Sequence, residues 1–231
     1  FDQEETRHLV RVLRLGTGDL VQAMDGQGTE YTIRLESVEG RAAAGTILTR
    51  SSLRTESPLA ITLVQGVPKG EKMEWIVRAA TELGVARIVP LLTRRCVVRP
   101  KAGRERAGRW QRVAKEAAKQ SGRSVIPVVE ALRTLEEFLA EWPAADLAVC
   151  LWERERRGLR ELLGAVSRQE ASALLVVGPE GGLAREEVEA LKEKGLEAAG
   201  LGPRILRTET AGPVGIALLQ ARWGDLGQTT P

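Results

Sequence analysis

The sequence is poor in histidine and cysteine, residues on which many enzymes depend. Its 231 residues include one histidine, His8, and two cysteines, Cys96 and Cys150. A single histidine argues against zinc hydrolases and Ser-His-Asp triads, whose chemistry needs imidazole as a metal ligand or a base. Two isolated cysteines are too few for a disulfide framework or a metal site, and they fit a reducing compartment. The sequence therefore predicts a cytoplasmic protein that needs no metal.

Long apolar runs are also missing. No stretch approaches the roughly 20 apolar residues that cross a bilayer, and the first residues show no signal-peptide pattern. The hydrophobic content of 43% is still enough for one large core or two modest ones. These features predict a soluble protein without a membrane partner.

Positive charge is concentrated in one part of the chain. The net charge is +3, but residues 94–123 hold eleven Lys and Arg against two Glu, so this block carries +9 and the remainder −6. A local basic block is typical of proteins that bind nucleic acid. On a predicted helix over 104–121 the basic side chains lie opposite an apolar arc of about 140°. A charged outer face is also ordinary for an amphipathic helix, so a polyanion-binding surface and a merely solvated face both stay open.

The pattern of apolar segments predicts two domains, 1–57 and 58–231. The first combines a short helix with short strands and a hairpin turn, which indicates a small β-rich domain. In the second, apolar strands alternate with helices, which indicates an α/β domain with a mainly parallel sheet. The predicted strands are 20–24, 31–35, 42–49, 60–64, 86–92, 125–129, 147–152, 173–177 and 198–201. The predicted helices are 8–14, 71–83, 104–121, 135–141, 158–168, 186–194 and 215–223.

Two glycine loops near the end of the chain form the candidate ligand site. The first, Gly178 to Gly182, directly follows a predicted strand, and the second, Gly200 to Pro203, follows the next one. In parallel sheets ligands bind beyond the carboxyl ends of strands, so the two loops predict a ligand held by main-chain groups. Neither loop has the pattern of a nucleotide-phosphate site. Glycines required only for turn geometry would give the same sequence. Thr210 is a natural N-cap for the last helix.

Six segments together resemble one protein family. The last three, EAAKQSGR, GPEGG and ILRTETA, are the most specific, and the matches follow one another along nearly the whole chain. They are residues 8–14, 65–70, 81–85, 116–123, 178–182 and 205–211. On these motifs the chain resembles the RsmE family, the 16S ribosomal RNA uridine-N3 methyltransferases of the SPOUT class.

The resemblance implies a fold, a cofactor and partners. The fold would be a C-terminal SPOUT α/β trefoil-knot domain after a small PUA-like β-barrel, which would lack its first residues because the chain starts at Phe1. The protein would be a homodimer that uses S-adenosylmethionine to methylate N3 of a uridine in 16S ribosomal RNA, either free or in the assembled small subunit. The cofactor-binding residues carried over are Leu151, Trp152, Gly178, Pro179, Glu180, Gly181, Leu201, Gly202, Ile205, Leu206, Arg207 and Thr208.

The remaining candidates concern proton transfer and RNA binding. Uracil N3 must lose a proton, and a nearby cation would favour the resulting anion, for which Arg207 and Arg123 are the candidates. Glu209 or Glu180 could accept the proton, although backbone positioning accounts equally well for both. The candidate RNA-binding residues are Arg11, Arg14, Lys69, Arg94, Arg95, Arg109, Arg112, Lys119 and Arg123.

Two other functions stay open. The first is a SPOUT methyltransferase that acts on another RNA, such as transfer RNA; the 116–123 segment favours ribosomal RNA, by resemblance alone. The second is a non-catalytic RNA-binding protein of ribosome assembly, which would use the basic helix and have no affinity for a cofactor. The glycine loops count against this second function.

Overall fold

The computed structural model describes residues 1–40, 42–52, 56–97, 103–167 and 169–228. Of the basic block, Arg99, Lys101 and the side chain of Arg104 lie outside the described residues. The chain divides into two compact units, Phe1–Thr55 and Glu56–Pro231. Within the described ranges, no helix combines the length and the apolar character needed to cross a bilayer.

The first unit joins one helix to a three-stranded antiparallel sheet. Helix α1 (Gln3–Arg11) begins five residues earlier than predicted, because Asp2 caps it by accepting a hydrogen bond of 2.8 Å from the N–H of Glu5. Leu9 of this helix packs with Val21 and other apolar residues in a small core. The strands are β1 (Leu20–Met24), β2 (Glu30–Glu39), which ends four residues later than predicted, and β3 (Ala42–Ser51).

The second unit is built on a parallel sheet. The strand order is β10-β8-β9-β4-β5-β6, with β7 paired to β5, and all of these pairings are parallel. The α/β fold class predicted from the sequence is confirmed. The strands are β4 (Ala60–Gly66), β5 (Arg87–Leu92), β6 (Val128–Val129), β7 (Arg133–Thr134), β8 (Leu147–Leu151), β9 (Ser172–Val177) and β10 (Glu197–Ala199).

Helices cover both faces of this sheet. Residues of β9 alternate between two apolar cores, with Leu175 and Val177 in one and Leu174 and Val176 in the other, as expected for a strand buried on both faces. Helices α2, α3, α5 and α7 contribute to the first core, and α4 and α6 contribute to the second. The helices are α2 (Lys72–Glu82), α3 (Gly103–Gln120), α4 (Leu135–Ala140), α5 (Leu159–Ala165), α6 (Arg185–Lys192) and α7 (Thr208–Trp223).

Predicted element boundaries are also wrong at α7 and at β6. Helix α7 begins at Thr208 with Arg207 as its N-cap, so Thr210 lies inside the helix rather than at its cap. The predicted strand 125–129 is reduced to β6. Pro127 has no N–H for a sheet ladder, and Gln111 of α3 binds the backbone on either side, donating to Pro127 O at 3.0 Å and accepting from Val129 N at 2.8 Å.

The predicted amphipathic character of α3 is confirmed. Its apolar arc faces the core, with Trp110, Ala114, Ala117 and Ala118 buried. Arg109 and Arg112 lie on the opposite, exposed face. The helix therefore presents a mainly basic surface while its small and aromatic residues pack against the rest of the unit.

Candidate functional site

A cavity of about 550 Å³ lies beyond the carboxyl ends of β8, β9 and β10. Small-molecule sites commonly measure roughly 300–1,000 Å³. The glycine loop after β9 and the segment between β10 and α7 form its walls, and we call it the glycine-loop cavity. The candidates Arg207 and Glu209 line it, together with every predicted cofactor residue. Those residues are Leu151, Trp152, Gly178, Pro179, Glu180, Gly181, Leu201, Gly202, Ile205, Leu206, Arg207 and Thr208.

Two glycines of these walls are required by geometry. A Cβ at Gly178 would lie 2.9 Å from the backbone of Gly182 and Leu183, closer than side chains approach a backbone. Gly202 has a φ of +103°, a conformation that residues with a side chain rarely adopt. Both loops are therefore compact turns in which bare main chain faces the cavity.

Buried hydrogen bonds connect the first loop to the start of α7. Thr208 Oγ1 donates to the carbonyl oxygen of Gly178 at 2.6 Å. Gln65, near the end of β4, donates from Nε2 to Thr208 Oγ1 at 2.9 Å. Because β4 and β9 are neighbours, these bonds fix the two wall segments relative to each other and to the end of β4.

An ion-pair cluster joins the same segments nearer the surface. Lys72 Nζ lies 3.0 Å from Glu180 Oε1 and 3.5 Å from Glu209 Oε2. The Lys69 N–H donates to Glu180 Oε1 at 3.0 Å. The hydrogen bond with Glu180 raises the pKa of the Lys72 ammonium, although its partial burial opposes the shift. Burial alone would raise the pKa of the Glu180 carboxyl, but hydrogen bonds from its own N–H, Lys72 and Lys69 hold that pKa below its usual value.

The surroundings of the two candidate proton acceptors differ. Glu180 accepts hydrogen bonds from the Lys69 N–H and the Lys72 ammonium, so it connects the first glycine loop to the segment at the start of α2. Glu209 has a buried Oε2 that receives no hydrogen bond from the described residues, although it faces Lys72 at 3.5 Å. Arg207 is exposed at the same cavity and has no ion-pair partner in the described part of the chain. At the start of α7 the site thus offers the uncommitted guanidinium of Arg207 and the Glu209 carboxylate, which has acceptor capacity to spare.

Arg123 does not reach this cavity. Its side chain is 6% exposed, and its Nη1 donates to the carbonyl oxygens of Thr81 at 3.0 Å and Val85 at 2.8 Å. Its Nε donates to the Glu56 carboxylate at 3.2 Å. Glu56 and Val85 precede β4 and β5, so the group lies toward the amino ends of the strands, away from the cavity. The guanidinium of Arg123 is therefore buried and bonded to Glu56, Thr81 and Val85 rather than placed at the cavity, so the geometry gives no support to its predicted catalytic and RNA-binding roles.

Charges on the outer face of α3 are paired to different degrees. Arg109 lies 2.7 Å from Glu74 and 3.5 Å from Glu71. Arg112 has no ion-pair partner among the residues described, and with Arg78 of α2 it lines a groove of about 290 Å³. Arg78 also has no ion-pair partner in the described part of the chain, and although Glu116 lines the groove too, two such guanidinium groups favour phosphate as a ligand.

The other candidate RNA-binding residues are dispersed. Arg95 Nη1 donates to Gly181 O at 2.9 Å, so it braces the first glycine loop from outside. Arg94 is exposed and lies 3.4 Å from Glu186, and Lys119 is exposed and lies 3.8 Å from Glu116. Three further candidates are exposed and have no such partner within the described ranges: Lys69 in the second unit, and Arg11 and Arg14 in the first.

Two charged residues of the cavity wall, Lys72 and Glu153, are absent from the sites predicted on the sequence. A third, Arg204, lies inside the 201–208 segment that the family resemblance assigns to the cofactor. Lys72 lies two residues beyond the 65–70 segment, and Glu153 follows Trp152, so proximity to those two predicted segments was the available signal. Gln65 lies inside the 65–70 segment, but a lone glutamine at the end of an apolar strand gave no indication of its role.

Family models match both parts of the chain. An RNA methyltransferase domain matches residues 55–220, and an RNA methyltransferase PUA domain matches residues 1–48. Ribosomal RNA small subunit methyltransferase E of Bacillus subtilis is 36% identical over 214 residues, which are 90% of this chain and 84% of that protein.

Two solved structures resemble the whole chain. Ribosomal RNA small subunit methyltransferase E from Neisseria gonorrhoeae, bound to S-adenosyl methionine, is 35% identical with a TM-score of 0.87. A Legionella pneumophila protein in complex with the bound cofactor SAM is 32% identical with a TM-score of 0.89. Each superposition covers 98% of this chain and 92% of the other.

Proposed function

Because this chain belongs to the ribosomal RNA small subunit methyltransferase E family, we propose that it methylates N3 of one uridine in 16S ribosomal RNA. The methyl donor is S-adenosylmethionine, the cofactor bound in the related Neisseria structure. The observation that carries the proposal is the glycine-loop cavity, where every residue predicted to bind the cofactor is brought together.

The cavity suits S-adenosylmethionine in size and in chemistry. Its volume of about 550 Å³ falls in the range of small-molecule sites, and its glycine loops leave main-chain groups free to bind an adenosine moiety. Leu151 and Trp152 from the end of β8, Gly178 to Gly181, and Leu201 to Thr208 would hold it. The bound cofactor supplies a methyl group already activated by its sulfonium, so alignment and exclusion of water are the main tasks of the protein.

Arg207 and Glu209 are assigned to the uracil. The exposed guanidinium of Arg207 would favour the anion formed when N3 loses its proton. Glu209 follows Arg207 by two residues and retains acceptor capacity, so it would take that proton. The target base must leave its stack to enter the cavity, as is usual for enzymes that modify bases.

The partners follow from the charged surfaces. The Arg78–Arg112 groove, together with Arg94 and Lys119, would contact the RNA backbone and set affinity rather than sequence choice. We assign residues 1–57 to a PUA-like RNA-binding domain, since an RNA methyltransferase PUA model matches residues 1–48. The proposal includes a cytoplasmic homodimer acting on 16S ribosomal RNA or on the small subunit that contains it.

Methylation in vitro tests the proposal. The purified protein is incubated with S-adenosylmethionine and, separately, with 16S ribosomal RNA, small subunits and transfer RNA, and nuclease digests are analysed by mass spectrometry. The proposal expects 3-methyluridine in 16S ribosomal RNA or in the subunit and none in transfer RNA. Methylated transfer RNA would identify a different substrate, and RNA binding without methylation would indicate an assembly protein.

A further inference from the structure

Gln65 is a polar side chain placed where the sheet is otherwise apolar. It lies near the carboxyl end of β4, between Val177 of β9 and Pro90 of β5, and it has no exposed surface. A primary amide in such a place costs free energy unless hydrogen bonds replace those it makes with water. Its partners therefore indicate what the residue does.

Those partners are all parts of the cavity wall or of the strand beside it. Nε2 donates to Thr208 Oγ1 at 2.9 Å and to Gly66 O at 3.0 Å, and lies 3.4 Å from Gly178 O. Thr208 Oγ1 in turn donates a hydrogen bond to Gly178 O at 2.6 Å. The carbonyl of Gly178, the first residue of the glycine loop, is thus held from two directions.

The amide is fixed in one orientation and incompletely satisfied. Two carbonyl oxygens face Nε2, so a rotated amide would place oxygen against oxygen. In the orientation present, Oε1 has no hydrogen-bond donor among the described residues and packs toward Gly212 of α7, whose Cβ, if present, would lie 3.2 Å away. An apolar side chain of equal size would avoid this unsatisfied atom, so stability alone does not account for glutamine.

We propose that Gln65 is a positioning residue for the cofactor site. Through Thr208 and Gly178 it sets the glycine loop against the start of α7, and therefore against Arg207 and Glu209. Its effect on the ligand passes through these residues, because Gln65 does not line the cavity itself. The inference rests on the proposed function, since it concerns the same cavity and the same cofactor.

The test measures S-adenosylhomocysteine affinity by calorimetry in Gln65→Met, Thr208→Val and the double variant, each checked for folding by its thermal melt. Methionine keeps the volume of glutamine and removes the donor. Each single change is expected to weaken binding by about tenfold, the equivalent of one or two hydrogen bonds. The double variant should lose little more than either single one, because both changes break the same connection. Thr208→Ser, which keeps the hydroxyl, should restore most of the affinity that Thr208→Val loses.

The matched control is Thr81→Val. Thr81 is equally buried and its hydroxyl donates to Val77 O at 2.7 Å, but it lies at the end of α2 near Arg123. This variant should lower the melting temperature and leave the affinity unchanged.

Several outcomes would overturn the inference. A folded Gln65→Met variant that binds S-adenosylhomocysteine as tightly as the wild type would contradict it. A double variant whose loss of affinity is the product of the two single losses would also contradict it. If Gln65→Met does not fold, equal affinities of Thr208→Val and Thr208→Ser would contradict it. A folded wild type that binds no S-adenosylhomocysteine would instead refute the proposed function.

Discussion

The ammonium of Lys72 lies 3.0 Å from the carboxylate of Glu180, and this contact joins the start of α2 to the glycine loop after β9. The two residues are 108 positions apart in the chain. The same ammonium is 3.5 Å from Glu209 at the start of α7, so one cation separates two carboxylates at the cavity.

Lys72→Met should weaken S-adenosylhomocysteine binding by roughly threefold to tenfold, because two carboxylates would then repel each other across the cavity wall. Calorimetry at neutral pH and low salt measures the effect. The control is Lys194→Met, which removes an exposed lysine without an ion-pair partner among the described residues. Equal affinities for wild type and Lys72→Met would show that the ion pair does not shape the site.

Acid should loosen the same contact. The pKa of Glu180 is held below its ordinary 4.5 in the folded protein, so the stabilisation is fully present above that pH and is lost as the pH falls through the folded-state value. Thermal melts from about pH 5 to about pH 3 should therefore show a smaller loss of stability in Glu180→Gln than in the wild type. Parallel curves for the two proteins would rule out this contribution.

Mutation of Arg207 should affect catalysis, whereas mutation of Arg123 should affect the stability of the fold. Arg207→Ala should reduce the methylation rate far more than the affinity for S-adenosylhomocysteine, because the guanidinium acts on the uracil anion. Arg123→Met should instead lower stability by about 3–5 kcal/mol, since it removes the cation that pairs with Glu56, leaving that carboxylate only the Val125 N–H, and removes the donor of two carbonyls. Single-turnover rates and denaturant melts separate the two effects. Equal losses of rate and affinity in Arg207→Ala would remove its catalytic assignment.

Unpaired arginines should contribute more to RNA binding than paired ones. Arg112→Ala should reduce the slope of log affinity against log salt by about 0.7–0.9, the release of one counterion. Arg109→Ala should change it less, because Glu74 at 2.7 Å already neutralises that guanidinium. Binding titrations with a 16S ribosomal RNA fragment at several salt concentrations give both slopes. Identical slopes for all three proteins would exclude the Arg78–Arg112 groove as an RNA contact.

The cavity could be located from the sequence because each of its walls is a short continuous segment of the chain. Each glycine loop directly follows an apolar strand, and parallel strands bring their carboxyl ends together at one edge of the sheet. The GPEGG and ILRTETA segments therefore marked the site without any knowledge of distant contacts.

Side-chain partners could not be predicted in the same way, because they lie far apart in the chain. Gln65 and Thr208 are separated by 143 positions, and Arg123 and Glu56 by 67. The charge distribution of the sequence predicts that Arg123 lies on a basic surface. In the structure its guanidinium is buried and donates to one carboxylate and two carbonyl oxygens. The start of α7 was misplaced for a related reason: Thr208 uses its hydroxyl to bind Gly178, and Arg207, without a side-chain cap, precedes the helix.

The most direct test is a calorimetric titration of S-adenosylhomocysteine into the wild type and into Gly202→Val. Valine disfavours the φ of +103° at position 202, so it should distort the second loop. Gly164→Ala is the control, since Gly164 lies in α5 with open space around it. The account predicts one site per chain in the wild type and the control, and affinity lower by about tenfold or more in folded Gly202→Val. A folded wild type without saturable binding, or a Gly202→Val variant that binds equally well, would contradict it.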